Sequence, residues 1–140
     1  MPVANQLEAA LVSILEDADF VNVNTGQSDE SLDSADIVCA ATTGDETPRN
    51  SGNYSVHCVV SRRTPADKEN DGTSHLSAHE SAFDSIREAL DTDELAANLI
   101  AAGVGHVFWI GGRSVHSGQE GRLWVSRWEF DCVACESDLS

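Results

Sequence analysis

Cations are scarce in this 140-residue chain: eight Lys and Arg stand against 24 Asp and Glu, for a formal net charge of −16. A protein that reads nucleic acid needs Lys and Arg to displace counterions from phosphate, so the balance speaks against that class. It speaks equally against docking on an anionic membrane. Long apolar runs are missing as well, and none approaches the roughly 20 residues of a membrane span. The first residues have neither the basic flank nor the unbroken apolar stretch of a secretory signal, which points to folding in a cytoplasm. Lys68 is the single lysine, so no Walker lysine is present. No G-x-S-x-G elbow occurs, and Gly103-x-Gly105 lacks the third glycine and the preceding strand of a dinucleotide fingerprint.

What is present suffices for one core. An apolar fraction of 41% and this length suit a single domain over residues 1–140. The charge is polarised. Residues 1–48 contain no Lys or Arg, yet they hold Glu8, Glu16, Asp17, Asp19, Asp29, Glu30, Asp33, Asp36, Asp45 and Glu46. All cations come later: Arg49, Arg62, Arg63, Lys68, Arg87, Arg113, Arg122 and Arg127. Such polarity suits a subunit that meets copies of itself or a partner, and it equally suits a solubility device or a salty host cytoplasm.

Periodicity predicts a first helix over about 6–17, with Leu7, Ala10, Leu11, Ile14 and Leu15 on one stripe and Asn5 as N-cap. Phe20 to Asn24 reads as a short edge strand. Asp36 to Thr42 reads as a central strand, and Asn53 to Ser61 is the clearest alternation in the chain. There Tyr54, Val56, Cys58 and Val60 face inward, and His57 faces outward. The central strand and this alternating one are expected to form an antiparallel hairpin. A helix ending near Leu90 follows, with Ser77-x-x-Glu80 as its capping box. Thr92 is placed to cap a second short helix that Gly103 ends. His106 to Ile110 and Arg122 to Ala134 complete the strands, the latter with Trp124, Trp128, Phe130 and Cys132 inward and Arg127, Glu129 and Asp131 outward. Exposed loops are expected at 24–34, 43–52, 62–74 and 111–121, with a polar tail at 136–140. The order α-β-β-β-α-α-β-β defines an α+β fold: an antiparallel-rich sheet of about four to five strands with helices packed on one face.

Candidate chemistry is sparse. Of the four cysteines, only Cys132-x-x-Cys135 forms a close pair. Parity puts Cys39, Cys58 and Cys132 on core faces, where a free thiol behaves as a small hydrophobe. His75-x-x-x-His79 has a spacing that metal sites use, but no Glu lies where a metalloprotease needs one; solvated first-turn histidines fit better. Ser114, His116 and Ser117 stand together in a glycine-rich segment, although near neighbours rarely reach triad geometry. The reading is therefore a protein that is not an enzyme, with no catalytic residue, cofactor or metal.

Certain anchors carry a resemblance. An amphipathic helix from Leu7 to Leu15 leads to a strand from Ile37 to Thr42. Gly52-Asn53-Tyr54 opens an alternating strand, and a His-containing helix start spans His75 to Phe83. Gly121-Arg122-Leu123-Trp124 then enters a long final strand. Over residues 5–133 this pattern resembles the tail terminator, or tail-completion, proteins of long-tailed bacteriophages. The resemblance implies a structural subunit without an active site that forms a ring, typically a hexamer. Such a ring caps the tail tube and meets the head-side connector or adaptor protein, in a virion assembled in the host cytoplasm. DNA would pass through the lumen without specific binding, repelled by the acidic excess. Arg62, Arg63, Arg113 and Arg122 are the residues expected at subunit or partner interfaces. The four cysteines and the His-rich stretch depart from the family pattern. Two alternatives stand beside it: another neck or tail subunit, such as a head–tail adaptor, and a small cytoplasmic metal-binding module using His57, Cys58, Cys132 and Cys135. Strand parity sends Cys132 and Cys135 to opposite faces and weighs against the module.

Overall fold

The computed structural model describes residues 2–21, 23–25, 37–46, 51–65, 72–120 and 123–136. Its elements are α1 (Val3–Asp17), β1 (Val23–Thr25), β2 (Ile37–Glu46), β3 (Asn53–Pro65), α2 (Gly72–Leu90), α3 (Leu95–Ala101), β4 (His106–Glu120) and β5 (Leu123–Cys135). The order α-β-β-β-α-α-β-β and the α+β class are as the sequence predicts.

Helix α1 buries Val3, Leu7, Ala10, Leu11 and Leu15, the three- and four-residue spacing of one stripe. It starts three residues earlier than expected, with Pro2 at the N-cap and no side-chain cap. Asn5 is therefore inside the helix. Proline's fixed φ suits the helix entry, and burial of Val3 and Ala4 extends the stripe back to it. The other end closes on Asp19, which adopts φ 71°. The Asp19 N–H donates to Glu16 O at 3.0 Å and the Phe20 N–H to Leu15 O at 3.0 Å, a Schellman closure. Gly103 (φ 122°) closes α3 in the same way, with the Val104 N–H donating to Leu99 O at 3.2 Å. Thr92 acts one step before α3: its Oγ1 accepts the Glu94 N–H at 3.3 Å, while Glu94 holds the N-cap position. Helix α2 begins at Gly72, so Ser77 and Glu80 lie inside the helix and not at its start, where a capping box is placed.

The five strands lie in the order β1-β2-β3-β5-β4. The short β1 pairs parallel with β2, and every other pairing is antiparallel. β3 and β5 stay in one register from Asn53 opposite Cys135 to Pro65 opposite Leu123. On the inner face Ile37, Cys39, Val56, Cys58, Val60, Trp128, Phe130, Cys132 and Ala134 meet Leu7, Leu11, Phe83, Ile86, Leu90, Leu95 and Leu99 from the helices. The Trp128 and Phe130 rings lie 4.9 Å apart at this core's centre.

Three expected loops are shorter than predicted. β2 runs on to Glu46, β3 to Pro65, and β4 continues through the glycine-rich segment to Glu120. Residues 111–120 are thus a strand, not a loop. This stretch forms the outer edge of the sheet, where no apolar face is required, so its pattern carries no strand signal. Bulges at Val107/Trp109 and at Gly111/Ser114 interrupt its register. The second turns through Gly112 at φ +63°, where a Cβ would come within 2.7 Å of Asp131 Oδ2. Of the loop expected at 24–34, residues 24 and 25 belong to β1, which ends at Thr25 and not at Asn24; its remaining residues, 26–34, and residues 137–140 of the expected tail lie outside the described residues.

One carboxylate serves the framework directly. Glu8 on α1 is 4% exposed, and its Oε2 accepts the backbone N–H of Ala41 at 2.9 Å. Ala41 lies two residues past the last rung between β1 and β2, Thr25 opposite Cys39, so a helix side chain takes over where the strand ladder stops. Leaving that N–H without a partner costs about 1–3 kcal/mol. Glu8→Ala is expected to lower unfolding stability by that amount in chemical denaturation, whereas Glu8→Gln, which keeps an acceptor, should lose less than about 1 kcal/mol.

Candidate functional site

Alternation on three adjacent strands builds a polar ladder on the sheet face opposite the helices. His57 on β3 is level with Asp131 on β5. The His57 ring places Nδ1 2.8 Å from Asp131 Oδ1 and Nε2 3.3 Å from Glu129 Oε1. From β4, His116 Nε2 stands 3.2 Å from Glu129 Oε2. The hydrogen bond that the His57 ring donates to Asp131, and a lesser one to Glu129, raise the His57 pKa against the opposing effect of burial. The outward parity of His57, Glu129 and Asp131 is legible in the sequence. The arrival of His116 is not, because it depends on β4 extending beyond Ile110.

A second polar group is buried where α2 meets the sheet. His79 sits on the apolar stripe of α2 with Phe83, Ile86 and Leu90 and is 2% exposed, which corrects the expectation of a solvated histidine. Its Nδ1 lies 3.2 Å from Arg62 Nη1, its Nε2 lies 2.8 Å from Ser126 Oγ, and Ser126 Oγ is 3.0 Å from Ser117 Oγ. A Ser–His contact of this length suggests a nucleophile and its base, but the donors run the other way. A guanidinium only donates, so Nδ1 accepts from Arg62 and the Nε2–H donates to Ser126. An imidazole that donates to the serine cannot remove its proton, and a cation stands where a triad places a carboxylate. Burial, followed by the Arg62 charge, lowers the His79 pKa and keeps the ring neutral.

The residues singled out from sequence fall in separate places. His116 faces Glu129 on the outer face, whereas Ser117 lies beside its register partner Ser126 on the inner face, so Ser114, His116 and Ser117 do not converge. The side chain of His75 lies outside those described. Cys39, Cys58 and Cys132 are buried and Cys135 is half-buried. His57 lies on the outer face and Cys58 and Cys132 on the inner one, so these residues and Cys135 form no common site. Among the described residues no group of three or more His, Cys, Asp or Glu is arranged to hold a metal ion. Burial, reinforced by Glu8, pushes the Cys39 pKa up to about 12. A hydrogen bond to Cys132 and then burial raise that of Cys58.

The four arginines are not gathered on one surface. Arg62 turns inward to His79. Arg63 turns outward, with its Nε buried and without a hydrogen-bond partner. Arg113 pairs with Asp91 beyond the end of α2. Arg122 lies outside the described residues. No helix among the described residues is long and apolar enough to cross a membrane.

No family model and no curated protein matches the chain. Among solved structures, it is similar to a chain in the virion of a native gene transfer agent particle. That likeness has 14% sequence identity and a TM-score of 0.41, covering 95% of this chain and 91% of that one. At this level the likeness is one of outline and decides neither the fold nor the function of this chain.

The two histidine environments make opposite contributions with pH. The lowered His79 pKa stabilises the fold above the ordinary value near 6.5, and that contribution is lost as pH falls below it. The raised His57 pKa stabilises the fold below about 6.5, and that contribution is lost as pH rises through the higher folded value. Denaturation at a series of pH values should therefore show His57→Gln losing stability more steeply than the parent between pH 7.5 and about 5. Thiol labelling offers a separate check on the core: in the native protein Cys135 should react, and the three buried thiols should react only after unfolding.

Proposed function

We propose that the chain is a virion structural subunit, a tail terminator that forms a ring at the head–tail junction. The observation that carries this reading is how sheet order converts polarised charge into two chemically different sides. α1 and β2 carry Glu8, Glu16, Asp17, Asp45 and Glu46 without a single Lys or Arg, at the β1–β2 side. Arg62, Arg63, Arg113 and Arg127 lie on β3, β4 and β5, from the middle of the sheet to its far edge, where they are mixed with Glu120, Glu129 and Asp131. Two unlike sides favour head-to-tail contact, and head-to-tail contacts close into rings when the rotation permits. The resemblance in element order and anchor residues supports the same reading.

In this proposal the 140 residues act as one α+β domain and assemble in the host cytoplasm. The partners are further copies of the chain, the tail tube and the head-side connector. Arg113 and Arg122 reach the acidic side of the next subunit. The acidic excess keeps a lumen repulsive to DNA, so that it passes without sticking. A head–tail adaptor is the neighbouring possibility, and binding to tube ends separates the two.

Native mass spectrometry and negative-stain imaging, with and without purified tail tubes, test the proposal. Closed rings of about six subunits, or protein at one end of each tube, are expected for a closed point group. Monomers that ignore tube ends would overturn the reading. Arg113→Glu/Arg122→Glu should reduce ring occupancy by on the order of tenfold at fixed concentration, about 1.4 kcal/mol. Arg62→Glu is a poorer probe because it also removes the contact with His79.

A further inference from the structure

The two edges of the sheet are unlike. At one, β1 is three residues long, and a short edge strand is one of the ways a protein avoids recruiting another strand. At the other, β4 runs for 15 residues, and among the described residues no strand lies beyond it. Both bulges of β4 precede Ser114. From Ser114 opposite Glu129 to Glu120 opposite Leu123 the register with β5 is unbroken. These seven residues, Ser-Val-His-Ser-Gly-Gln-Glu, include no Lys and no Pro, the residues that commonly block an edge. With the histidine neutral, Glu120 at the end carries their one formal charge. Val115, His116, Ser117 and Gly118 are exposed, Val115 to 41%. In an antiparallel ladder every second residue turns its N–H and C=O away from the paired strand. Half of this segment's backbone groups therefore point off the sheet.

We propose that Ser114–Glu120 is a pairing edge for the same segment of a second copy, antiparallel, about a twofold axis through Ser117. The segment is complementary to itself. A twofold axis normal to the sheet keeps like faces together only where it passes through a residue, since side chains alternate. Placed at Ser117, it pairs all seven bulge-free residues with one another. Ser114 then stands level with the second copy's Glu120, Val115 with its Gln119 and His116 with its Gly118. The His116 rung is uncrowded. Its imidazole Nε2 is drawn to Glu129 at 3.2 Å, and a Cβ on Gly118 would meet nothing within 4 Å. Such a ladder forms about six to eight backbone hydrogen bonds. Like charges are kept apart. The two Glu120 backbones lie at opposite ends, about 20 Å from each other, and each is two strands, about 10 Å, from the other copy's Glu129. Both distances exceed the roughly 8 Å Debye length of physiological salt. Seven rungs bury less than about 1,000 Å², so the pairing is weak and transient. It joins like strands about a twofold axis, whereas the proposed ring joins unlike sides, so it does not rest on that reading.

Two chains that each carry −16 meet here through neutral backbone, so salt should strengthen the pairing, where it weakens a contact between acid and arginine. Sedimentation velocity of the full chain over about 5–500 µM, at about 0.05 and 0.5 M salt, tests it. The mass should double as concentration rises, with tighter association at the higher salt. Ser117→Lys sets two ammonium groups across the axis and should weaken association at least about tenfold. Val21→Lys makes the same charge change at a residue that is 74% exposed beside β1, and it should associate no worse than the parent. In a Cys135→Ser background, Ser117→Cys should give a disulfide-linked dimer under mild oxidation, because directly opposed Cβ atoms lie about 4.5–5.5 Å apart. Val115→Cys should not, since its two copies are roughly 14 Å apart along the strands. A parent that is monomeric at every concentration, association that weakens with salt, Ser117→Lys that pairs as well as Val21→Lys, or equal linking at 115 and 117 would each overturn the proposal. Amide hydrogen exchange of the parent needs no variant. The edge-facing N–H groups of residues 114–120 should be better protected at about 500 µM than at about 5 µM, and exchange that ignores concentration would overturn it as well. Rings without a link at position 117 refute the pairing alone, and a link at position 117 without rings refutes the ring alone.

Discussion

The unbroken ladder between β3 and β5 is the constraint from which the rest of the molecule follows. From Asn53 opposite Cys135 to Pro65 opposite Leu123 the two strands keep one register, and alternation then assigns every side chain to a face. Trp128, Phe130 and Cys132 go inward with Val56, Cys58 and Val60, supplying the surface on which all three helices settle. A one-residue slip would exchange that set for Arg127, Glu129, Asp131, His57 and Val59, burying charge and exposing the aromatic pair. The same ladder therefore sets the core and the chemistry of the open face.

Polar groups enter the interior only where they complete something. Glu8 meets a backbone donor beyond the end of β1. His79 links α2 to β5 through Ser126, with Arg62 ensuring that the ring accepts on one side and donates on the other. These contacts resemble catalytic parts in composition and differ from them in direction and charge. A Ser–His distance of 2.8 Å carries no nucleophile when the imidazole is the donor. The buried thiols of Cys39 and Cys58 follow the same logic, since burial and their neighbours suppress the thiolate that reactivity would require.

The proposed role of the surface is association. A strongly acidic chain repels its own copies in most orientations, so contacts must use regions where charge is balanced or complementary. The contrast between the two sides of the sheet offers such complementarity. Its two sides differ in composition, because chain order and strand order together leave α1 and β2 with acids alone and put arginines on β3, β4 and β5 beside Glu129 and Asp131. That contrast suits the closed rings proposed for the chain.

Much of this was legible in the residues alone. Alternation in Asn53 to Ser61 and Arg122 to Ala134 identified the central strands and the faces of His57, Cys58, Glu129 and Asp131, because a half-buried strand must write its burial into every second position. Helical spacing likewise located the stripes of α1 and α2. An edge strand carries no such obligation, and residues 111–120 looked like a loop until β5 paired with them. His79 looked solvated because an imidazole on an apolar stripe needs partners from elsewhere, and only folding brings Arg62 and Ser126 to it. Sequence by itself determined the class, the core and the charge of the chain. The tertiary structure alone decided the length of β4, the direction of the Ser–His contact and the convergence of two histidines on Glu129. Each of those depends on contacts between residues far apart in the chain, which local pattern does not encode.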